Sequence, residues 1–408
     1  MEEGKFIESI NKFIKERSSY YEQWIYNEPI AISNQHNKKL ERLQKVLHKI
    51  IIEFVTNFEN YSGLNIIVSN KTKDILKELE DVPYNVGTYR TDFVYDEFKQ
   101  PKLIEITCRF ALNGLFLSAV MNNYAKKYHV EKLKGIEVVD DYKNIFGYIS
   151  MLSGGGDVFI LKGKDLKNES VLFKDIFRDA GKKVVEVHYT DILSYITEMK
   201  NGWIISELTL DEIESLDLET IKKISQLNIT NDFRTVLLIH DKQFFSVLGN
   251  VLLQEACLTS DEIDFLKDYH IPTYHTNENK KYWKDARINK DNWILKHRSL
   301  GKSKSIYAGI VTSQEDWDMI FDKGDMKNFV LQKWIPQIKV KGQILEEKYN
   351  DYIVGSLHFF NHNYFGLGVF RSSSFPVTNV VDDRKSSSLV FKDDFEMIKK
   401  LFVNYIDS

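Results

Sequence analysis

Two cysteines, Cys108 and Cys257, are all that this chain of 408 residues carries. Two thiols make neither a disulfide framework nor a four-ligand zinc site, and such scarcity suits a reducing compartment. Long apolar runs are also missing. Ile50–Ile52 and Val236–Ile239 fall far short of the roughly 20 residues that cross a bilayer. The opening Met1–Lys5 has no basic region followed by an apolar core, so no secretory leader is expected and the expected location is cytoplasmic. Net charge is only −4, which gives no bulk electrostatic case for nucleic acid. Neither nucleic acid nor membrane is therefore an expected partner. Internal repeats and low-complexity tracts are lacking too. Gly154-Gly155-Gly156 follows no strand and lacks the Gly-x-Gly-x-x-Gly spacing of a dinucleotide site, so it reads as a flexible junction.

What is present is an ordinary globular composition, 43% apolar and 28% charged, on a length that implies two or three packed units. Phe6, Ile10 and Phe13 share one helix-period stripe, and Leu40, Leu43, Val46, Leu47 and Ile50 another. Residues 1–80 therefore read as an N-terminal helical region, with Leu64–Val68 a short strand. Residues 81–150 read as a hairpin followed by helices. Residues 151–235 read as a small α/β unit: strands at Val158–Leu161, Val184–Val187 and Trp203–Ile205, with a helix at Val171–Ala180 and helix-compatible spacing over Asp211–Arg234. Val236–His240 reads as a strand. From Trp293 on, strands are expected at Trp293–Lys296, Ser305–Ile310, Phe329–Trp334, Tyr352–His358 and Tyr364–Phe370, and helices at Gln314–Phe321 and Phe395–Tyr405.

The chemistry-bearing pattern lies in the hairpin. Arg90–Tyr95 and Lys102–Thr107 both alternate between two faces. A four-residue loop at 97–100 would pair Asp96 with Pro101 and Asp92 with Glu105, gathering Arg90, Asp92, Glu105 and Thr107 on one face. Opposed carboxylates repel. A hard dication removes that repulsion, and Mg²⁺ is commonly held by one or two carboxylates plus substrate phosphates. Arg90 adds a fixed positive charge suited to phosphate. The competing reading is a solvated face with an ordinary Arg–carboxylate pair.

Arg90-Thr91-Asp92-Phe93 followed by Leu103-Ile104-Glu105-Ile106-Thr107 resembles the Arg-x-Asp-Phe … Glu-x-Asn signature of circularly permuted ATP-grasp ligases, the group that includes glutathionylspermidine synthase. Later segments resemble that family in the same order. His240–Phe245 resembles the stretch with its first ATP-binding lysine, here Lys242. Trp293-Ile294-Leu295-Lys296 and then Ser299–Ser305 resemble the second lysine and the phosphate-covering loop, with Ser299, Gly301 and Lys302 as candidate contacts. Phe329–Ile335 resembles the strand that meets adenine, with Gln332 and Trp334 as candidates, and Gly366–Arg371 resembles the late Gly-x-Gly-x-x-Arg. The resemblance implies an α+β, ATP-grasp fold in permuted order, with N-terminal helices, a small α/β pre-ATP-grasp domain and a nucleotide-binding region over 236–408.

The resemblance further implies ATP and Mg²⁺ as cofactors and a carboxylate substrate activated as an acyl phosphate. The acceptor would be an amine or, in the alternative, the thiol of a carrier protein. Asp92, Glu105 and Thr107 would be metal ligands. Lys242 and Lys296 would hold phosphates, and Arg90 and Arg371 would stabilise the transferring group. Arg109 could clamp a substrate carboxylate, with a surface salt bridge as the equal alternative. The expected adenine strand has Lys333 after Gln332 where Glu is frequent, and two further departures stand out. Thr107 replaces the usual Asn, and the covering loop has Gly301 as its one glycine. They keep open a third reading, a nucleotide- or partner-binding module without turnover. His358 and His362 read as strand-end histidines, and Cys108 as a small core residue.

Overall fold

The computed structural model describes residues 24–64, 66–110, 114–139, 156–165, 181–276, 280–301, 303–392 and 394–407, with Lys12, Lys174, Phe177 and Arg178 besides. Most of each expected helix, around Phe6–Phe13 and around Val171–Ala180, lies outside the described residues, as does most of the triple-glycine junction. No helix among the described residues is long and apolar enough to cross a membrane.

Among the described residues the architecture is mixed α/β, built on four sheets. The largest has seven strands. The acidic hairpin, Thr88–Tyr95 and Pro101–Thr107, forms one side of it. Thr88–Tyr95 pairs antiparallel with the long strand Glu347–Phe360. Phe370–Ser373 and Arg384–Ser386 continue the sheet beyond, while Lys339–Ile344 and Asn363–Leu367 pair along the long strand. Residues far apart in sequence thus meet in one sheet.

Strand alternation divides this sheet chemically. Tyr89, Phe93, Tyr95, Leu103 and Ile106 enter the main core, where Leu40, Leu43, Val46, Leu47 and Ile50 of the helix Asn34–Thr56 also lie. Each such aliphatic side chain contributes roughly 1.5–3 kcal/mol when fully buried. Ser33 caps that helix by accepting from the His36 backbone N–H at 3.1 Å. The opposite face carries the polar positions.

A four-stranded antiparallel sheet orders Ile306–Ala308, Trp293–His297, Phe329–Lys333 and Thr273–His275. A four-stranded parallel sheet orders Val184–His188, Val158–Lys162, Trp203–Ser206 and Ile229–Thr230. A small parallel sheet places Ile30–Ser33 between Ser388–Phe391 and Asn404–Ile406.

Several expectations need correction. Val236–His240 is not a strand. Phe233–Leu238 is a helix whose six residues are all buried, capped by Asp232. A short apolar run buried on all sides has no period to separate helix from strand. The expected strand at Leu64–Val68 is also absent: Leu64 ends the 3₁₀ segment Phe58–Leu64, and residues 66–69 are irregular. The last helix stops at Leu401, and Asn404–Ile406 turns into a strand.

Candidate functional site

The hairpin sets Asp92 directly opposite Glu105, but not by a simple register. Tyr95 pairs with Pro101, Val94 with Lys102 and Phe93 with Leu103, one residue away from the register expected from a four-residue loop. A one-residue slip would turn every side chain to the wrong face. A bulge at Ile104 restores the alignment, so that Asp92–Glu105 and Arg90–Thr107 pair beyond it. Ile104 and Glu105 consequently both line the same cleft.

Asp92 is fully buried. Arg90 grips it with two bonds, Nε to Oδ1 at 2.7 Å and a terminal nitrogen to Oδ2 at 3.0 Å. Arg371, arriving on Phe370–Ser373, donates to Oδ2 at 2.6 Å. Glu105 is more open, its side chain 22% exposed, and meets the Lys242 ammonium at 3.0 Å. Burial alone would raise the Glu105 pKa. The neighbouring charges of Lys242, Arg371 and His240, with the Lys242 hydrogen bond, hold it well below the usual carboxylate range instead. His358 pairs across the sheet with Arg90, and burial and that guanidinium keep its imidazole neutral, with a pKa of about 3.

The antiparallel sheet supplies the facing wall. Lys296 is buried, and its Nζ donates to the Gln332 side-chain oxygen at 2.7 Å and to the Ile104 carbonyl at 3.2 Å. Gln332 donates in turn to Thr273 Oγ1 at 2.9 Å. The Gln332 side chain therefore positions the lysine. Burial, with Lys242 adding repulsion, lowers the Lys296 pKa to about 7. Lys242 also donates to the Leu300 carbonyl at 2.9 Å. Arg298 joins the two lysine segments: it binds Asp241 through Nε at 3.0 Å and donates to the Ile67 carbonyl at 2.6 Å.

Between the walls lies an open cleft. Ile294, Ile306, Trp334 and Val377 form an apolar cluster on its lining, while Lys242, Lys296, Glu105 and Arg371 supply charge. The 299–305 loop already touches the far side, where Ser303 Oγ donates to the Thr378 carbonyl at 2.6 Å. Gly301 has open space around it. Ser299 donates its N–H to His297 Nδ1 at 3.3 Å and is not part of the lining. Lys302 lies outside the described residues. Arg109 stands apart from the hairpin carboxylates: it donates to the Glu207 carbonyl at 3.1 Å and pairs with Asp165.

Sequence reasoning missed Asp241, Arg298, Thr273 and the Ile104 carbonyl. The two charged residues sit beside the expected lysines, which is the only local signal they carry. The Thr273–Gln332–Lys296 relay joins segments far apart in sequence.

Among the described residues no group of three His, Cys, Asp or Glu side chains gathers for a metal. Asp92 and Glu105 stand opposite one another, and Thr107, on the Glu105 strand, pairs with Arg90; all three carry hard oxygens on adjacent strands. This set fits a Mg²⁺ that completes its shell with phosphate oxygens and water. It does not fit a metal held by protein alone.

The family model described as the AnkG N-terminal domain matches residues 40–238. That stretch carries the acidic hairpin and the parallel sheet but neither lysine of the cleft. No curated protein matches the chain. Among solved structures, the chain is similar to a glutathione synthetase-like effector from Globodera pallida in its apo form. The TM-score is 0.61 at 11% identity, covering 95% of this chain and 97% of that one. The likeness is one of fold alone, a mixed α/β architecture shared along nearly the whole of both chains.

Proposed function

We propose that the chain is an ATP- and Mg²⁺-dependent ligase that activates a carboxylate as an acyl phosphate and transfers it to an amine, on an ATP-grasp scaffold in permuted order. The observation that carries this reading is the cleft. One lining joins an apolar cluster, Ile294, Ile306, Trp334 and Val377, to Lys242, Lys296, Glu105 and Arg371. A nucleotide has the same two halves, a flat base and a polyanion. The order of the segments, acidic hairpin before both lysines, supports the permuted arrangement.

ATP would supply the phosphoryl group and Mg²⁺ would neutralise phosphate charge. Asp92, Glu105 and Thr107 would hold the metal, with Arg90 and Arg371 released from Asp92 toward the transferring group. Lys242 and Lys296 would neutralise phosphate oxygens. Lys296 is buried against an amide and a carbonyl rather than a carboxylate, so an anion in the cleft gives its charge a partner. The 299–305 loop, already seated on Thr378, would exclude water from the activated carboxylate.

A second reading, a nucleotide-binding module without turnover, is favoured by one observation: guanidiniums occupy both oxygens of Asp92. The test is ADP release with mixed amino-acid, polyamine and carrier-protein acceptors. Acceptor-dependent ADP release supports the amine ligase. Release only with a carrier-protein thiol supports a carboxylate–thiol ligase. Nucleotide binding with no release under any mixture supports the module.

A further inference from the structure

The parallel sheet holds a second polar cluster that the phosphate chemistry does not use. Val158–Lys162 lies between Val184–His188 and Trp203–Ser206, all running the same way. The chain leaves Lys162 toward Val184–His188 and leaves Ser206 toward Ile229–Thr230 on the other side. The connections therefore diverge between the carboxyl ends of these two strands. In open parallel sheets, ligands bind in the crevice at such a point.

The residues there carry both signs of charge. Lys162 ends its strand, and Glu207 directly follows the neighbouring one. They form an ion pair with side chains only 7% and 3% exposed. Arg109 reaches in from the end of the acidic hairpin to the Glu207 carbonyl at 3.1 Å and to Asp165. Its guanidinium also stacks over Phe110 at 4.7 Å. A buried ion pair is a weak stabiliser, because desolvation consumes most of its attraction. Glu212 is no further free acid, since its carboxylate accepts from the Lys164 and Thr209 backbones at 2.6 and 2.8 Å.

This cluster adjoins the phosphate cleft. Arg109 follows Glu105 by four residues, a reach of at most about 14 Å. His240 lies in the fields of Lys242, Glu105 and Arg109 together, and its Nδ1 is enclosed without a hydrogen-bond partner.

We propose that this switch point binds a small zwitterion, an α-amino acid or a peptide end, as a substrate of the ligase. Arg109 and Lys162 take its carboxylate, and Asp165 and Glu207 take its ammonium group. The ion pairs of the free protein exchange partners with the ligand, so no charge is left buried alone. A planar guanidinium suits two parallel bonds to a carboxylate. The role as substrate rests on the ligase reading; the binding does not.

The test is calorimetric titration of the full chain, without nucleotide, against the common L-amino acids and glycylglycine. The N-acetyl and methyl ester forms of whichever binds, and spermidine, serve as comparison probes. At least one zwitterion should bind, and blocking either of its charges should weaken binding roughly tenfold or more. Arg109→Met and the exposed Asp165→Asn should each weaken it similarly, with melting curves verifying that the variants fold. Equal binding of blocked forms, preference for spermidine, no effect of either variant, or no binding by any zwitterion would overturn the proposal. Mg-ATP binding by wild type, measured separately, reports on the ligase reading alone.

Discussion

The two walls of the cleft hold charge in opposite ways. On the seven-stranded sheet both hairpin carboxylates have a cation: Asp92 has Arg90 and Arg371, and Glu105 has Lys242. On the antiparallel sheet Lys296 is held by an amide oxygen and a backbone carbonyl. One wall is neutralised within the fold. The other bears a lysine whose hydrogen bonds go only to neutral oxygens. The first wall should therefore govern stability and the second should govern binding.

The largest effect expected from that contrast is Asp92→Asn. Removing one partner of a buried ion pair costs about 3–5 kcal/mol. Because Arg90 and Arg371 are 22% and 21% exposed, the loss should fall near the lower end of that range. Urea denaturation would read it, and a loss below about 1 kcal/mol would contradict the description of this wall. ATP turnover should vanish as well.

Lys296→Met is the counterpart on the other wall. Stability should hold or rise, since a buried charge is removed. Mg-ATP affinity should fall by about 1.5–3 kcal/mol, one to two decades, in calorimetry. Equal destabilisation by Asp92→Asn and Lys296→Met would erase the contrast.

A third effect concerns pH. The Lys296 pKa of about 7 lies below its unfolded value. Between pH 7 and the ordinary lysine range the unfolded chain holds the extra proton, so this group makes stability rise with pH there. Nucleotide binding has the opposite sign, because it must bring the proton back. Affinity should fall as pH rises above 7, by at most about tenfold per unit, and the Lys296→Met profile should be flatter. Gln332→Glu, which offers the lysine an anion, should move the fall to higher pH. The smallest effect is Thr107→Asn, which should change stability by under about 1 kcal/mol and leave turnover near wild type. Complete loss of turnover would show that Thr107 contacts substrate instead.

The sequence made local features legible. Alternation over Arg90–Tyr95 and Lys102–Thr107 placed the carboxylates on one face, and the stripe from Leu40 to Ile50 marked the long helix. It did not disclose the Ile104 bulge, because an inserted residue leaves no periodic trace. The Asp92–Glu105 pairing follows from a five-residue loop corrected by that bulge, not from the simpler loop the pattern suggested. Phe233–Leu238 hid its helical nature because every side is buried. The Lys296–Gln332 contact depends on which strands become neighbours, a property of the sheet rather than of either segment. Arg109 had a legible side chain but an illegible destination, since Glu207 and Asp165 come from a different sheet.

The most direct test of the central claim is a calorimetric titration of Mg-ATP into wild type and into the Lys242→Met/Lys296→Met double variant. The nucleotide-cleft account predicts saturable single-site binding to wild type and none to a folded double variant. Identical isotherms for the two proteins, or no binding to wild type, would contradict it.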